Sequence, residues 1–279
     1  MTNSIEQKSH IEVRGVTMAY DSFVIQRDLN FTINNGDIFV IMGGSGCGKS
    51  TLLKHMLGLI RPSRGDILYN GTSFFQSSEG EQGAMRQRWG ISYQSGGLFS
   101  AMTLAENITL PLELYTQYTR AEIADIVAYK LALVGLAGYQ SYYPSQISGG
   151  MQKRAALARA IALDPDILFF DEPSAGLDPI SSRLLDELIV QIKESMGATV
   201  VIVTHELASI FAIASNSVYL DNTSRTMIAY GNPADLRDHS EQPVVRQFLT
   251  RSAATDSNVT ADTRTTANSS AAKELKDKP

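Results

Sequence analysis

The sequence predicts an α/β fold built on a mainly parallel sheet. Three short, mostly apolar runs at residues 38–42, 166–170 and 199–204 are typical of strands buried on both faces. Helical patterns separate these runs, and strands that alternate with helices favour right-handed parallel connections. We therefore expect one large core domain with its ligand site at the carboxyl edge of the sheet.

Two further regions flank this core. Residues 11–20 and 24–33 are rich in β-branched and aromatic side chains, which predicts an antiparallel N-terminal β subdomain. Residues from about 95 to 160 have a mostly helical pattern and lie between core strands, so we expect an inserted helical lobe. Residues 72–88 are polar and are expected to be irregular, and residues 218–231 predict a closing hairpin.

The predicted folded domain covers residues 11–250 and lies between two weakly apolar ends. We expect a flexible N-terminus over residues 1–10 and a disordered tail over 251–279, where large apolar residues are nearly absent. The segment at about 240–250 contains PVVRQFL, whose apolar spacing predicts a short docking helix. Two surfaces are candidates for this contact: the chain's own domain, and a second copy or accessory protein.

Composition and charge exclude several classes of protein. The chain of 279 residues has 24 basic and 29 acidic residues, a net charge of −5, which argues against a nucleic-acid partner. No run approaches the roughly 18 to 20 apolar residues that span a bilayer, and the first residues lack signal-peptide features. We expect a cytosolic chain that reaches any membrane through partners. A single cysteine, Cys47, excludes an intrachain disulfide.

A glycine-rich loop predicts a phosphate-binding site. Its residues match G-x-x-x-x-G-K-[ST] after a buried strand and before a helix: Gly43, Gly44, Ser45, Gly46, Cys47, Gly48, Lys49 and Ser50. Glycines let backbone N–H groups converge on phosphates, and the helix N-terminus favours an anion. Lys49 would hold the β- and γ-phosphates, Ser50 would ligate Mg²⁺, and Thr51 follows as a further nucleotide contact. ATP and Mg²⁺ are the predicted cofactors.

Cys47 lies inside this loop. The helix N-terminus would lower the pKa of its thiol. We nevertheless expect a small spacer residue whose backbone N–H matters and whose thiol does not.

Two adjacent carboxylates end the second buried strand. Neighbouring residues of a strand point to opposite faces, so Asp171 and Glu172 are expected to have different roles. Asp171 is placed to hold Mg²⁺, and Glu172 to polarise an attacking water. Two acids after a strand are often only the start of a polar loop, but after a phosphate loop they indicate a nucleotide site.

Residues 147–154, Ile-Ser-Gly-Gly-Met-Gln-Lys-Arg, closely resemble the signature of ABC-transporter ATPases, usually Leu-Ser-Gly-Gly-Gln. Over roughly residues 11–235 the other family motifs follow in the expected order. By this resemblance Tyr20 stacks on adenine, Gln94 contacts Mg²⁺, Asp178 belongs to the D-loop and His205 senses the γ-phosphate. The resemblance thus implies Lys49, Glu172 and His205 as the catalytic set.

The resemblance also implies a head-to-tail pair of chains that encloses two ATP molecules. Ser148, Gly149 and Gly150 of one chain would contact the γ-phosphate bound by the other chain. Alone, this turn is more often a simple helix N-cap, and the two roles are compatible. Integral membrane permease subunits are expected to dock near Gln94 and the helical lobe.

Two signature positions depart from the usual form: Ile147 replaces leucine and Met151 replaces glutamine. The variant resembles ATPases that work with Mce-domain proteins in bacterial phospholipid transport. It implies an Mce-domain lipid-binding partner at the cytoplasmic face of the inner membrane, with a small accessory protein as a further candidate. Lys153 and Arg154 have two candidate roles, structural ion pairs or contact with a partner, and the structural role is favoured.

Three other functions are alternatives, and a feature of the sequence argues against each of them. An importer ATPase for a small polar solute such as an amino acid usually has SGGQQQR at the signature. ABC ATPases of DNA repair or translation usually have two cassettes or a long coiled-coil insertion, and this sequence shows neither pattern. A scaffold that binds nucleotide without turnover would not need Glu172 and His205.

Overall fold

The computed structural model describes residues 9–94 and 96–250 as two β-sheets surrounded by helices. The strands are β1 (Ser9–Tyr20), β2 (Phe23–Asn34), β3 (Ile38–Gly43), β4 (Arg64–Tyr69), β5 (Thr72–Ser73), β6 (Trp89–Ser92), β7 (Ile167–Asp171), β8 (Thr199–Val203), β9 (Asn216–Asp221) and β10 (Thr226–Gly231). The helices are α1 (Lys49–Met56), α2 (Glu79–Gln87), α3 (Leu104–Tyr115), α4 (Arg120–Leu133), α5 (Gly149–Ala160), α6 (Pro179–Met196), α7 (Leu207–Ile213), α8 (Pro233–His239) and α9 (Pro243–Thr250). The disordered tail predicted for residues 251–279 lies outside the described residues, as do residues 1–8 of the predicted flexible N-terminus.

The central sheet has six strands in the order β10-β9-β3-β8-β7-β6, and β10 is the one that runs antiparallel to its neighbour. Every residue of β3 and β8 is buried. Val40 and Met42 of β3 pack in one apolar cluster, with residues of α3 to α6, whereas Phe39 and Ile41 pack in a second, with α1 and the antiparallel sheet. Burial on both faces explains the continuous apolar sequence, and the predicted mainly parallel sheet is confirmed.

The second sheet is antiparallel, in the order β2-β1-β4-β5, as predicted for the N-terminal subdomain. Its first strand begins at Ser9, so Ser9 and His10 belong to the folded domain and not to the predicted flexible start. His10 Nδ1 lies 2.7 Å from Thr199 Oγ1 at the start of β8. This buried contact joins the two sheets.

Helices α3, α4 and α5 occupy the region where we predicted an inserted lobe. Capping boxes begin the first two, with Thr103 and Glu106 at α3 and Thr119 and Glu122 at α4. Their apolar residues share the larger cluster with the central sheet: Leu104, Ile108, Leu112, Ile123, Val127 and Leu131. This packing fixes the lobe against the core. In the described part of the chain, no helix is both long and apolar enough to cross a bilayer.

The prediction of an irregular segment over residues 72–88 was wrong. This stretch contains β5 and α2, and strand β6 follows at once. Ser78 caps α2 in a capping box with Glu81, a Ser-x-x-Glu signal that the sequence already contains. Strand β6 was missed because four residues are too few to establish a periodicity, and its pairing with β7 holds it in place.

The chain returns to the core through the predicted β9–β10 hairpin and ends its described part in α8 and α9. Helix α9 contains the PVVRQFL segment, and its Val245 and Leu249 are almost fully buried in the chain's own larger cluster. This apolar face therefore packs on the chain's own domain, which was the first of the two candidate surfaces. Val244 points outward and is 40% exposed.

Candidate nucleotide site

The loop between β3 and α1 needs glycine at two points. Gly43 has a φ of 149°, and a Cβ there would lie 2.4 Å from the backbone oxygen of Leu220. Gly48 has a φ of 100°, and a Cβ would lie 2.7 Å from Ile25 Cγ2. Lys49 Nζ donates to the carbonyl oxygens of Gly43 and Gly44, each at 3.0 Å. The ammonium group therefore lies over the loop where a polyphosphate would bind.

Ser50 and Asp171 meet across the start of α1 and the end of β7. Ser50 Oγ donates to Asp171 Oδ1 at 3.1 Å. Burial raises the pKa of Asp171, and the hydrogen bond from Ser50 opposes that rise. A hydroxyl and a carboxylate supply the oxygen ligands that Mg²⁺ prefers, alongside phosphate oxygens and water. The two side chains fit a magnesium site beside the phosphate loop.

Glu172 follows β7 in a left-handed conformation with a φ of 49°, which costs a non-glycine residue about 1–2 kcal/mol. Its backbone N–H donates to the oxygen of Val203 at 2.8 Å, which holds the turn in place. The carboxylate Oε1 lies 2.7 Å from His205 Nδ1. Asp171 thus contacts Ser50 while Glu172 contacts His205, the divergence expected of adjacent residues at a strand end.

Thr204 is a functional neighbour that the sequence analysis missed. It is 1% exposed, and its Oγ1 donates to Glu172 Oε2 at 3.2 Å. The same hydroxyl accepts from the N–H of Glu206 at 3.1 Å. Thr204 therefore orients the Glu172 carboxylate and also fixes the turn that presents His205. The sequence feature that could have identified Thr204 is its hydroxyl group, directly before His205 at the end of β8.

These groups line one cleft of about 620 Å³ at the carboxyl edge of the central sheet. Its lining residues are Gly43, Gly44, Ser45, Gly46, Gly48, Lys49, Ser50, Thr51, Gln94, Glu172, His205, Leu207 and Phe248. Asp171 reaches the cleft through its hydrogen bond to Ser50. Leu207 and Phe248 were not predicted, because they come from α7 and α9, far from the motifs in sequence.

Several predicted site residues lie outside this cleft. Tyr20 is 51% exposed at the end of β1, and Cys47 is 1% exposed behind the phosphate loop. Burial raises the pKa of the Cys47 thiol and outweighs the lowering by Lys49 at the start of α1, so the net lowering that we expected was wrong and the spacer interpretation fits. Asp178 caps α6 by accepting from the N–H groups of Ile180 and Ser181, each at 3.0 Å, and the bonds from Ser181 lower its pKa.

The signature turn is also separate from the cleft of its own chain. Ser148 caps α5 through Oγ, which accepts from the N–H of Met151 at 3.3 Å, and both Ser148 and Gly149 are exposed. Gln152 Nε2 donates to the carbonyl oxygen of Pro144 at 3.0 Å and so braces the turn from behind. Met151 packs against the larger apolar cluster, which explains how an apolar residue is accommodated there.

Helix α5 also holds the segment around Gln94. Lys153 Nζ donates to the backbone oxygen of Gln94, and Arg159 donates to that of Gly97. Burial lowers the pKa of Lys153, and the nearby charge of Glu172 opposes that effect. The structural role predicted for Lys153 fits this bond. The predicted ion pair was wrong, because the ammonium group donates to a carbonyl oxygen and not to a carboxylate.

A fold with this cleft defines a class of protein. The ABC transporter family pattern matches residues 26–175, more than half of the chain. The chain therefore belongs to the ABC transporter family, and it is an ATPase domain of that family.

Two kinds of curated relative stand out. The "Probable ribonucleotide transport ATP-binding protein mkl" of Mycobacterium tuberculosis is 43% identical over 86% of this chain, and the match spans 66% of that protein. The "Intermembrane phospholipid transport system ATP-binding protein MlaF" of Escherichia coli is 38% identical over 86% of this chain and 88% of its own length. MlaF of Haemophilus influenzae is 39% identical over 86% of this chain and 89% of its own.

Solved structures agree on the fold. The structure of cbiO1 from Clostridium perfringens, part of the ABC transporter complex cbiONQ, has a TM-score of 0.76 at 27% identity and covers 88% of this chain and 96% of its own. The ATP-binding cassette MJ0796, dimeric in a post-hydrolysis state with ADP and Pi, has a TM-score of 0.71 at 27% identity, covering 80% and 98%.

Proposed function

We propose that this chain hydrolyses ATP as a head-to-tail dimer and drives phospholipid transport between the inner and outer membranes of a bacterium. It would act at the cytoplasmic face of the inner membrane with two permease subunits and an Mce-domain protein. The cleft that gathers Lys49, Ser50, Glu172 and His205 is the observation that carries hydrolysis. A small accessory protein is a further candidate partner.

The geometry supports hydrolysis by water attack on the γ-phosphorus. The phosphate loop and Lys49 would hold the β- and γ-phosphates, and Mg²⁺ held by Ser50 and Asp171 would neutralise their charge. Glu172 would accept a proton from the attacking water, while the bond to the β–γ bridging oxygen breaks to release ADP and phosphate. Gln94 lines the same cleft and would complete the Mg²⁺ shell.

The position of the signature turn supports the dimer. Ser148 and the N-terminus of α5 are exposed and do not line their own chain's cleft. A second chain would bring these donors to the γ-phosphate, where a helix N-terminus favours negative charge. Asp178 and Tyr20, which would stack on adenine, are likewise exposed. The dimeric state of the cassette MJ0796 supports the same assembly.

The cargo assignment rests on the relatives and on the SGGMQKR signature. MlaF proteins of two organisms are named for intermembrane phospholipid transport and match most of their length here. The name of mkl, which refers to ribonucleotide transport, favours a second candidate: movement of a small polar solute. The two functions use the same ATPase chemistry and differ in the permease partner.

Deletion of the gene is expected to separate these two cargoes. We expect altered phospholipid distribution in the outer membrane and greater sensitivity to detergents, with normal amino acid and ribonucleotide uptake. Lipid analysis of separated membranes and uptake of radiolabelled solutes measure the two effects. The wild-type gene should restore the barrier, and a Glu172→Gln gene should not. An intact barrier with a specific solute-uptake defect would overturn the lipid assignment and leave the ATPase assignment in place.

A groove between the core and the helical lobe supports the permease contact. It encloses about 630 Å³ and is lined by residues of α2, β6, α3 and α5, together with Phe99. Asn107, fully buried, accepts from the N–H of Phe99 at 2.8 Å and donates to its carbonyl oxygen at 3.1 Å. The ring is 46% exposed and lies 4.6 Å from the Arg159 guanidinium. A fixed backbone thus holds an exposed aromatic ring that a partner helix would contact.

Phe99→Ala is expected to reduce assembly with the permease and lipid transport by tenfold or more, roughly the cost of losing one central aromatic contact. Basal ATP hydrolysis of the isolated chain should change little, because Asn107 still holds the backbone. Co-purification with the permease and ATPase assays measure the two effects. Phe211→Ala is the matched control, since Phe211 is also exposed, at 37%, and has the Arg237 guanidinium 5.2 Å from its ring. Normal assembly with impaired basal ATPase would contradict this contact.

A further inference from the structure

The wall of the nucleotide cleft contains two large apolar side chains, Leu207 and Phe248. The other described residues that line it are glycines, hydroxyl-bearing residues and residues with charged, amide or imidazole groups. Leu207 begins α7, two residues after His205. Phe248 comes from α9, which is separated from His205 by the β9–β10 hairpin and α8. Helix α9 therefore contributes a side chain directly to the nucleotide cleft.

Helix α9 is held firmly in this position. Val245 and Leu249 are 0% and 2% exposed and belong to the same apolar cluster as the central sheet. The ring of Phe248 packs edge-on against Tyr219, with ring centroids 5.3 Å apart and an interplanar angle of 73°. Tyr219 lies on β9 and pairs with Met42, the residue before Gly43 of the phosphate loop. The aromatic pair is thus anchored beside the phosphate loop.

The turn that carries His205 has Thr204, Leu207 and Phe248 around it. Thr204 binds Glu172 from the buried side, as described above, and Leu207 begins the following helix. Leu207 and Phe248 pack against the same apolar cluster and face the same cleft. The backbone N–H of Glu206, at the N-cap position of α7, donates to Thr204 Oγ1 at 3.1 Å. Packing of Leu207 is a further restraint on this helix start.

We propose that Phe248 is a positioning residue of the nucleotide site. Its ring supports Leu207, and Leu207 in turn holds His205 and Glu172 in position to act on the γ-phosphate. The proposal rests on the proposed ATPase function and adds Phe248 of α9 to the residues that serve it. An apolar wall also excludes water from one side of the cleft, which strengthens the electrostatic contacts inside it. Because coupling is reciprocal, bound ATP should in turn stabilise the docking of α9.

The first test compares full-length variants in steady-state ATP hydrolysis with Mg²⁺. Phe248→Ala is expected to lower kcat about tenfold or more with little change in KM, because small misplacements of catalytic groups are costly while the phosphate loop is intact. Phe248→Tyr should retain most activity, since the ring is kept. Phe248→Leu keeps apolar volume for folding but loses the ring, and should fall between these two. Val244→Ala, at an exposed position of the same helix, is the control and should match wild type.

The second test measures hydrogen exchange of residues 243–250 in a Glu172→Gln background, with Mg²⁺ and with or without ATP. We expect ATP to protect these amides, and Phe248→Leu to weaken that protection. Variants that melt earlier but keep wild-type kcat below their melting temperature would overturn the proposal, as would exchange in α9 that ATP does not change. Failure of the wild-type chain to hydrolyse ATP would instead contradict the proposed function itself.

Discussion

Glu172→Gln is expected to bind ATP with nearly normal affinity and to hydrolyse it about 10² to 10⁴ times more slowly. The amide keeps the size of the side chain and can still contact Thr204 and His205, but it cannot accept a proton from water. The phosphate loop, Lys49 and the pair of Ser50 with Asp171 are unchanged, so binding should persist. With ATP trapped, the closed dimer should accumulate.

Single-turnover hydrolysis, equilibrium nucleotide binding and size-exclusion chromatography with ATP measure these three effects. Glu187→Gln is the matched control, because Glu187 pairs with Arg183 on the exposed face of α6 and such pairs contribute little. That control should hydrolyse ATP at the wild-type rate. Near-normal hydrolysis by Glu172→Gln would remove Glu172 from its proposed role as the base.

Ser148→Arg and Lys49→Ala are each expected to abolish most ATP hydrolysis, for different reasons. Lys49→Ala removes the ammonium group that lies across the phosphate loop, so the chain should lose most of its nucleotide affinity or most of its turnover. Ser148→Arg replaces the serine hydroxyl at the exposed turn of α5 with a bulky side chain, which would keep the donors of this turn away from the γ-phosphate bound by a second chain. A monomeric preparation of Ser148→Arg should still bind ATP, because its own cleft is intact. Loss of binding in that monomer would argue that Ser148 acts within its own chain.

Mixing the two inactive variants distinguishes a shared site from separate ones. In a mixed head-to-tail dimer, one cleft combines the intact Lys49 of one chain with the intact Ser148 of the other. Random pairing should therefore recover up to about a quarter of wild-type hydrolysis if the two sites act independently. Glu187→Gln mixed with wild type is the control for the mixing procedure and should keep the full rate of hydrolysis. No recovery, despite verified mixed dimers, would contradict the head-to-tail arrangement.

Local chemistry made the core of this site predictable. The phosphate loop, the acidic pair after β7 and the histidine after β8 each follow a buried strand, and parallel strands bring their carboxyl ends to one edge. The positions of Lys49, Ser50, Asp171, Glu172 and His205 around one cleft thus follow from motifs and topology. The capping boxes of α3 and α4 were not predicted, although each depends on residues only three apart in the sequence.

Contacts between distant segments were decided by the tertiary structure. Strand β6 has four residues and depends on its pairing with β7, so no local period could reveal it. Whether α9 would pack on its own domain or on a partner was open, because an amphipathic pattern specifies an apolar face but not the surface that covers it.

The sequence by itself determined the class of chemistry, through short motifs whose backbone geometry and charge suit a bound polyphosphate. The tertiary structure alone placed Phe248 and Leu207 in the cleft, joined Lys153 to the carbonyl of Gln94, and separated Ser148 from its own chain's phosphate loop. The physical reason is sequence distance: these arrangements depend on how helices pack around the sheet, and that packing is set by the whole core at once.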